Sequence, residues 1–261
     1  MSKNENVVST AKSEWIKFRT VNSTIVGIAL LFFLTIGFSL LITLVLRAHW
    51  DQSTRIDKLT FDPVSTSLVG VFFAQFAVGV IGVLFISAEY SSGSIRTTLA
   101  AVPNRVRLVT GKVIVLFGSM FIVCEVVTFV TFLMGQAVFS GVVPTASLSS
   151  GSVLRAVILT GVYLALLTLL GFALGLILRQ SAASISVFVV ILLIVPLISL
   201  SFPESWRNDI ERFELGNLWT SMASTTTPSH LFTAWSAFAA LVIYVVAFLA
   251  AGTVLLQTRD A

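Results

Sequence analysis

The sequence predicts an all-α polytopic membrane protein with six transmembrane helices. Of the 261 residues, 56% are hydrophobic and only 11% are charged, and the mean hydropathy is +0.99. A soluble domain carries roughly 25% charged residues. The long uncharged runs also match the roughly 20 residues that cross a hydrocarbon core as a helix. Six such runs form a single transmembrane domain, at 23–46, 64–88, 113–140, 153–178, 181–201 and 231–256.

The basic residues predict the orientation of these spans, because Lys and Arg concentrate in cytoplasmic loops. We therefore expect both termini and the segment 89–112 to be cytoplasmic, and the loop 202–230 to be extracellular. The net charge of +4 does not indicate nucleic-acid binding, since the basic residues are spread over several loops. In this orientation the cytoplasmic side holds ten of the 16 Lys and Arg residues: Lys3, Lys12, Lys17, Arg19, Arg96, Arg105, Arg107, Lys112, Arg179 and Arg259.

The sequence carries no motif for ATP hydrolysis. A phosphate-binding loop has the pattern G-x-x-x-x-G-K-[ST], but the only Gly-Lys pair, Gly111-Lys112, is followed by Val113 and lacks the first glycine. Both histidines, His49 and His230, lie at span edges, which opposes an intramembrane protease or a metal site. We therefore expect no catalytic residue, no metal and no cofactor in this chain.

The N-terminal stretch 7–20 predicts an amphipathic helix lying in the membrane interface, where tryptophan and cations meet lipid headgroups. Lys12, Lys17 and Arg19 fall mostly off its apolar face, while Ile16 breaks the pattern. The alternative is that these cations only flank the first span. The apolar face comprises Val7, Val8, Ala11, Trp15 and Phe18.

The segment 89–112 predicts two short helices at a bend. Ile95, Leu99 and Val102 recur with helical spacing, and Pro103 is suited to end one turn and begin another that carries Val106 and Val109. Gly93 permits a sharp turn after the second span. Such a unit could seat in a groove on a partner through Arg96, Arg105 and Arg107. Alternatively, the arginines only enforce the topology of a loop.

Two polar side chains fall inside predicted spans. Glu125 lies near the middle of the third span, where a charged carboxylate is costly unless it faces protein or a cavity. It predicts either a role in a substrate path or proton relay, or an interhelical hydrogen bond, with Thr128 one turn further on. Gln75 in the second span favours an interhelical hydrogen bond.

Other residues predict how the spans pack. Gly79, Gly82, Gly171 and Gly175 favour close contact between helices, and Pro196 predicts a kink or early end in the fifth span. The stretch 201–222 alternates aromatic, charged and apolar residues, which fits interfacial or re-entrant helices as well as a plain amphipathic loop.

The stretches SEWIKFRTVNST (13–24) and AEYSSGSIRTTLAAVPNRVRLVTGK (88–112), together with the six spans, resemble the permease subunits of type-2 ATP-binding-cassette (ABC) transporters, especially short actinobacterial-like exporters. The resemblance implies that the first stretch is an interfacial connecting helix, comprising Glu14, Trp15, Lys17 and Arg19. It implies that the second contains the coupling helix that seats on the ATPase subunit. The coupling residues carried over are Glu89, Gly93, Arg96, Thr97, Thr98, Pro103 and Arg105.

The resemblance also implies partners and location. ATP and Mg²⁺ would bind a separate ABC ATPase subunit, and the permease would pair with itself or with a related permease in a bacterial plasma membrane. We expect export of a hydrophobic or amphipathic drug, lipid or peptide antibiotic, which fits multidrug or antibiotic resistance. A second hypothesis is a non-transport membrane scaffold that uses 89–112 to recruit a cytoplasmic regulator. A third, an intramembrane enzyme, is opposed by the shortage of buried catalytic groups.

Overall fold

The computed structural model describes residues 12–19, 22–101, 104–225 and 230–258, and within them it contains helices and no strands. This confirms the predicted all-α fold, and six of the helices are long and apolar enough to cross a membrane. These are α2 (Asn22–Ala48), α5 (Val71–Ser91), α7 (Arg105–Phe139), α8 (Gly151–Leu178), α9–α10 (Ser181–Ser199) and α13 (Ala234–Thr258). A helical stretch at 12–19, α1, precedes them. The shorter helices are α3 (Arg55–Thr60), α4 (Pro63–Ser67), α6 (Ser94–Ala101), α11 (Glu204–Glu211) and α12 (Leu215–Ala223).

Two transmembrane helices begin at residues that differ from the predicted ones. The second span was expected to begin at 64, but Asp62 caps the separate helix α4 by accepting a hydrogen bond from the backbone of Val64, and α5 begins only at Val71. The third span was expected to begin at 113, but α7 already begins at Arg105. Asn104 caps α7 by accepting from the backbone of Arg107 at 3.0 Å.

The predicted second short helix of the segment 89–112 is therefore wrong. No break separates Arg105 from the third span, because the cap at Asn104 starts a helix that continues without interruption to Phe139. Only α6 is a separate short helix. Val102, the last residue of the predicted apolar stripe, and Pro103, at the predicted bend, lie outside the described residues.

The helix α8 occupies the centre of the bundle and packs against α5, α7 and α13. It is buried along nearly its whole length, whereas only 17% of the residues in the most apolar stretches of α2 and of α9–α10 are buried. Glycines permit the closest approach, as the sequence pattern predicts. A Cβ atom on Gly82 would overlap the carbonyl oxygen of Thr168, and one on Gly171 would overlap that of Gly79. Helices α5 and α8 thus meet backbone to backbone.

Pro196 neither ends the fifth span nor leaves it a regular helix. Residues Val190–Ile194 form a π-helical turn, and a further helical turn, Val195–Ser199, contains the proline. Proline lacks an N–H group and collides with the carbonyl oxygen four residues earlier, so a wider turn directly before it relieves the conflict.

The segment after the fifth span folds back onto the bundle. Leu215, Leu218 and Met222 lie on one buried face of α12, which packs against α8 and α13. Just after the end of α12, Arg155 of α8 donates to the carbonyl oxygen of Ser224 at 3.0 Å. The backbone N–H of Thr225 donates to the carboxylate of Asp62 at 3.0 Å. The amphipathic pattern of 201–222 therefore corresponds to two short helices, of which α12 is packed among the spans.

Candidate functional site

Helix α6 lies at the end of the bundle where α1 lies and α13 ends, called the α6 end below. The chain leaves α5 at Ser91 and turns at Gly93, whose φ of +70° lies in the left-handed region that favours glycine. Ile95 is buried and Leu99 packs against the core, whereas Arg96 and Thr97 are exposed. One face of α6 is thus anchored on the bundle and the other is presented outward.

Four charged side chains form an ionic cluster beside α6. Nζ of Lys112, on α7, donates to Oε2 of Glu14 on α1 and to Oε1 of Glu89 on α5, both at 2.7 Å. Nζ of Lys17 donates to the same oxygen of Glu89 at 3.0 Å and to Oε1 of Glu14 at 3.2 Å. The cluster therefore joins α1 to the two helix ends between which α6 is held.

Burial makes this cluster strongly interdependent. Lys112 and Glu14 are each 1% exposed and Glu89 is 8% exposed, while the side chain of Lys17 is 44% exposed. Two carboxylates balance two ammonium groups, which compensates the cost of removing the charges from water. Loss of Lys112, the buried cation, would leave an uncompensated buried charge, which costs about 3–5 kcal/mol in proteins.

The contacts of Lys17 also shift its titration. Burial alone lowers the pKa of Lys17, but the hydrogen bond and charge of Glu89 and the charge of Glu14 together outweigh burial and raise the pKa above its ordinary value of 10.5. The stabilisation from these contacts is therefore complete below the ordinary pKa, and it is lost as the pH rises through the raised one.

Arg105 and Arg179 bind the C-terminal end of α13. Arg105 donates to the carbonyl oxygens of Leu256 and Gln257, and Arg179 donates to that of Leu255 at 3.5 Å. Cations are favoured there because the last carbonyl groups of a helix lack intrahelical donors and carry negative partial charge. Arg105, predicted as a coupling residue, thus lies on α7 and fastens the last span to the α6 end.

The structure divides the predicted coupling residues by position. Arg96 and Thr97 lie on the exposed face of α6, and Arg96 forms no ion pair with a described residue. Thr98 is half-buried and donates to the carbonyl oxygen of Ser94 at 3.0 Å. Gly93 forms the turn, and Glu89 belongs to the ionic cluster, while Pro103 lies outside the described residues.

The predicted apolar face of the N-terminal helix is only partly correct. Phe18 is buried, but Trp15 is 44% exposed, and the inward position one turn before Phe18 is occupied by Glu14. Ion pairing to Lys112 outweighs the apolar pattern at this position. The ring of Trp15 instead stacks on that of Phe18, with 6.1 Å between the ring centroids. The guanidinium carbon of Arg19 lies 5.7 Å from the centroid of the Trp15 ring. Val7, Val8 and Ala11 lie outside the described residues.

The two intramembrane polar residues have different surroundings. Gln75 accepts a hydrogen bond from the hydroxyl of Tyr163 at 2.8 Å, which links α5 to α8 inside the bundle. Glu125 packs against Gly161 of α8, and both of its carboxylate oxygens are buried without a hydrogen-bond donor among the described residues. The hydroxyl of Thr128 donates to the backbone of Cys124 at 2.9 Å instead.

Sequence reasoning missed two residues of these networks. Lys112 was counted only among the cytoplasmic basic residues, although a single cation within an apolar helix is itself a signal for a buried acidic partner. Tyr163 was passed over among the apolar residues of α8. Among the described residues, no group of three or more His, Cys, Asp or Glu side chains is placed to hold a metal ion.

Comparison with models of known protein families identifies the family to which α6 and the ionic cluster belong. The model of ABC-2 family transporter proteins matches residues 11–195, which is well over half of the chain. The chain belongs to this family. The matched region contains α1, α6 and all four members of the ionic cluster, so the whole cluster of this ABC-2 family protein lies within the residues that match the family model. A search of curated proteins found no significant match. Family membership and the six spans make the chain a multi-pass membrane permease subunit of an ABC transporter.

Proposed function

We propose that this ABC-2 family protein forms the translocation path of an exporter, while a separate ATPase subunit binds ATP and Mg²⁺ and docks on α6. The ionic cluster is the observation that supports this most strongly. Glu89 lies just before α6, Lys112 lies on the helix that follows it, and Glu14 joins both to α1. A push on α6 would therefore reach three membrane elements at once.

The contacts suggest how motion is transmitted. The exposed Arg96 and Thr97 provide the surface for the ATPase subunit, and the buried Ile95 fixes α6 to the bundle. When ATP binding closes the ATPase subunits, α6 would move as a rigid body together with the ends of α5 and α7. Packed elements held by buried ion pairs shift between discrete arrangements rather than deforming continuously.

The substrate we propose is a hydrophobic or amphipathic compound, such as a drug, lipid or peptide antibiotic. A cavity of about 260 Å³ lies among α8, α9–α10, α12 and α13, and most of its walls are aliphatic or aromatic. Such walls bind apolar surface with little discrimination. Side chains lining it include Leu170, Ile191, Val195, Phe213, Tyr244 and Phe248.

Export is the proposed direction, and two permease chains are the proposed assembly. The segment between α9–α10 and α13 packs α12 against the spans, rather than standing away from them as a platform for a substrate-delivering protein. The apolar surface that α2 and α9–α10 expose suits contact with lipid and with a second permease, either another copy or a related chain. The proposed cellular location is the plasma membrane of a bacterial cell, with both termini cytoplasmic.

Charge reversal on the exposed face of α6 tests the docking role. Arg96→Glu should weaken co-purification of the partner ABC ATPase subunit by about tenfold or more, because an unpaired charge at an interface opposes binding. Gly93→Pro should act similarly by preventing the turn at φ +70°. Arg55→Glu, on the exposed helix α3, is the matched control. Unchanged co-purification and unchanged stimulated hydrolysis in both variants would show that α6 does not dock the ATPase.

Glu125→Gln tests whether the unpaired carboxylate serves transport. This change keeps the shape and removes the charge, so we expect transport into inverted vesicles to fall about tenfold while assembly is retained, which corresponds to roughly 1.4 kcal/mol. Glu204→Gln, at an exposed position, is the control. Normal transport by the Glu125 variant would reduce this residue to a packing role.

The scaffold hypothesis makes a different prediction from the transporter. If the chain only recruits a regulator, no ATPase subunit co-purifies with it and no compound in a panel of hydrophobic and amphipathic molecules stimulates hydrolysis. A transporter subunit should show both. This measurement decides between the two functions without knowledge of the substrate.

A further inference from the structure

A second cavity lies at the α6 end, bounded by α1, α2, α5 and α6, and its volume is about 370 Å³. Its walls combine apolar and polar groups. Leu84 and Phe85 contribute hydrocarbon surface, while hydroxyl groups come from the start of α2 and from α6. The polar lining includes Lys17, Thr24, Glu89, Ser94, Thr97 and Thr98.

Glu89 is the unsatisfied group in this cavity. Both of its ion pairs, from Lys17 and Lys112, use the same oxygen, Oε1. Its other oxygen, Oε2, is buried and has no hydrogen-bond partner among the described residues, and the residue as a whole is more than nine-tenths buried. A buried acceptor without a donor is costly, particularly on a charged group. A ligand that brings an N–H donor to this oxygen would remove that cost.

The charges around the cavity restrict the ligand further. The ionic cluster is already neutral, so a zwitterion can enter without adding net charge, whereas an anion would face Glu89. The cationic side chain of Lys17 and the hydroxyl groups of α6 suit a phosphate. The cavity lies beside the first turn of α2 and the last turn of α5, the depth at which lipid headgroups meet a transmembrane helix.

We propose that this cavity binds the headgroup of a phosphoethanolamine lipid, whose primary ammonium donates to Oε2 of Glu89 and whose phosphate lies toward Lys17 and the hydroxyl groups of α6. Choline lipids lack the N–H donor, and glycerol-phosphate lipids lack the cation. Bound there, the lipid would contact both the interfacial helix α1 and the helix α6. This site stands independently of the ATPase partner and of transport, so it can be tested on the permease alone.

Lipid competition on the purified full-length chain tests the site. The protein is exchanged into nanodiscs that contain equal parts of dioleoyl phosphatidylethanolamine, phosphatidylcholine and phosphatidylglycerol, and retained lipid is counted by native mass spectrometry. We expect phosphatidylethanolamine to be retained roughly tenfold or more over each of the others, the effect of one charge-assisted hydrogen bond. Equal retention of all three, or preference for phosphatidylglycerol, would overturn the proposal.

Two variants locate the preference in the cavity. Glu89→Gln removes the carboxylate but also disturbs the ionic cluster, so it is paired with Ala88→Leu, which fills the cavity from its wall and removes no charge. Both should abolish the preference. Ala100→Leu, on the exposed face of α6 away from the cavity, should retain it. Preference retained in Ala88→Leu would place the lipid elsewhere and refute the assignment.

A soluble competitor separates the lipid from its free headgroup. Phosphoethanolamine added up to millimolar concentration should displace bound phosphatidylethanolamine but should raise the thermal unfolding temperature less than the lipid does, because it lacks the acyl chains. Equal stabilisation by the soluble compound, without any preference among lipids, would overturn the membrane lipid as the ligand.

Discussion

Replacing Lys112 by Met is expected to lower the free energy of unfolding by about 3–5 kcal/mol, the cost of leaving buried carboxylates without their partner. Lys112 is 1% exposed and donates to Glu14 and Glu89, both at 2.7 Å. Thermal unfolding can be followed with a thiol-reactive fluorophore, because the chain has one cysteine, Cys124, and it is buried. The same variant should uncouple ATP hydrolysis from transport if the cluster transmits motion.

Two further variants distinguish a cluster effect from a simple packing loss. Lys17→Met should cost about 1 kcal/mol or less, because its side chain is 44% exposed and solvent screens the pairs. The triple variant Glu14→Gln, Glu89→Gln, Lys112→Met removes the uncompensated charges and should recover most of the stability that Lys112→Met loses. If the triple variant is the less stable of the two, charge compensation is not what Lys112 provides.

Replacing Gly82 by Leu is expected to cost about 3 kcal/mol or more and to prevent correct assembly of α5 with α8. A Cβ atom at this position would already overlap the carbonyl oxygen of Thr168, and backbone cannot rotate away as a side chain can. The measurement is the yield of monodisperse protein in detergent, together with its thermal unfolding temperature.

Gly118 offers a matched control for this substitution. It lies on the exposed side of α7, and a Cβ atom there would meet no other atom within 4 Å. Gly118→Leu should therefore leave yield and unfolding temperature nearly unchanged. Equal loss in both variants would indicate a general intolerance of glycine replacement in the spans, rather than the close contact of α5 and α8.

The predicted features that held are those encoded by neighbouring residues. Uncharged runs predicted six spans, Gly93 predicted the turn before α6, and Gly82 and Gly171 predicted close helix contact. One wrong prediction had a local cause, since Asn104 starts a continuous helix α7 where a separate short helix was expected. Another depended on a distant partner. The apolar face assigned to α1 placed Trp15 inward. Glu14 points inward instead, because it forms an ion pair with Lys112, which is 98 residues away in the sequence.

The sequence by itself determined that this protein is a six-span membrane protein of the ABC-2 type, since hydropathy and the local motifs at 13–24 and 88–112 lie within continuous stretches. Only the tertiary structure decided that Glu14, Glu89 and Lys112 meet beside α6, and that one oxygen of Glu89 lies next to a cavity without a partner in the part of the chain that the structure describes. The physical reason is that helical periodicity specifies which residues share a face, but not which face of another helix they meet.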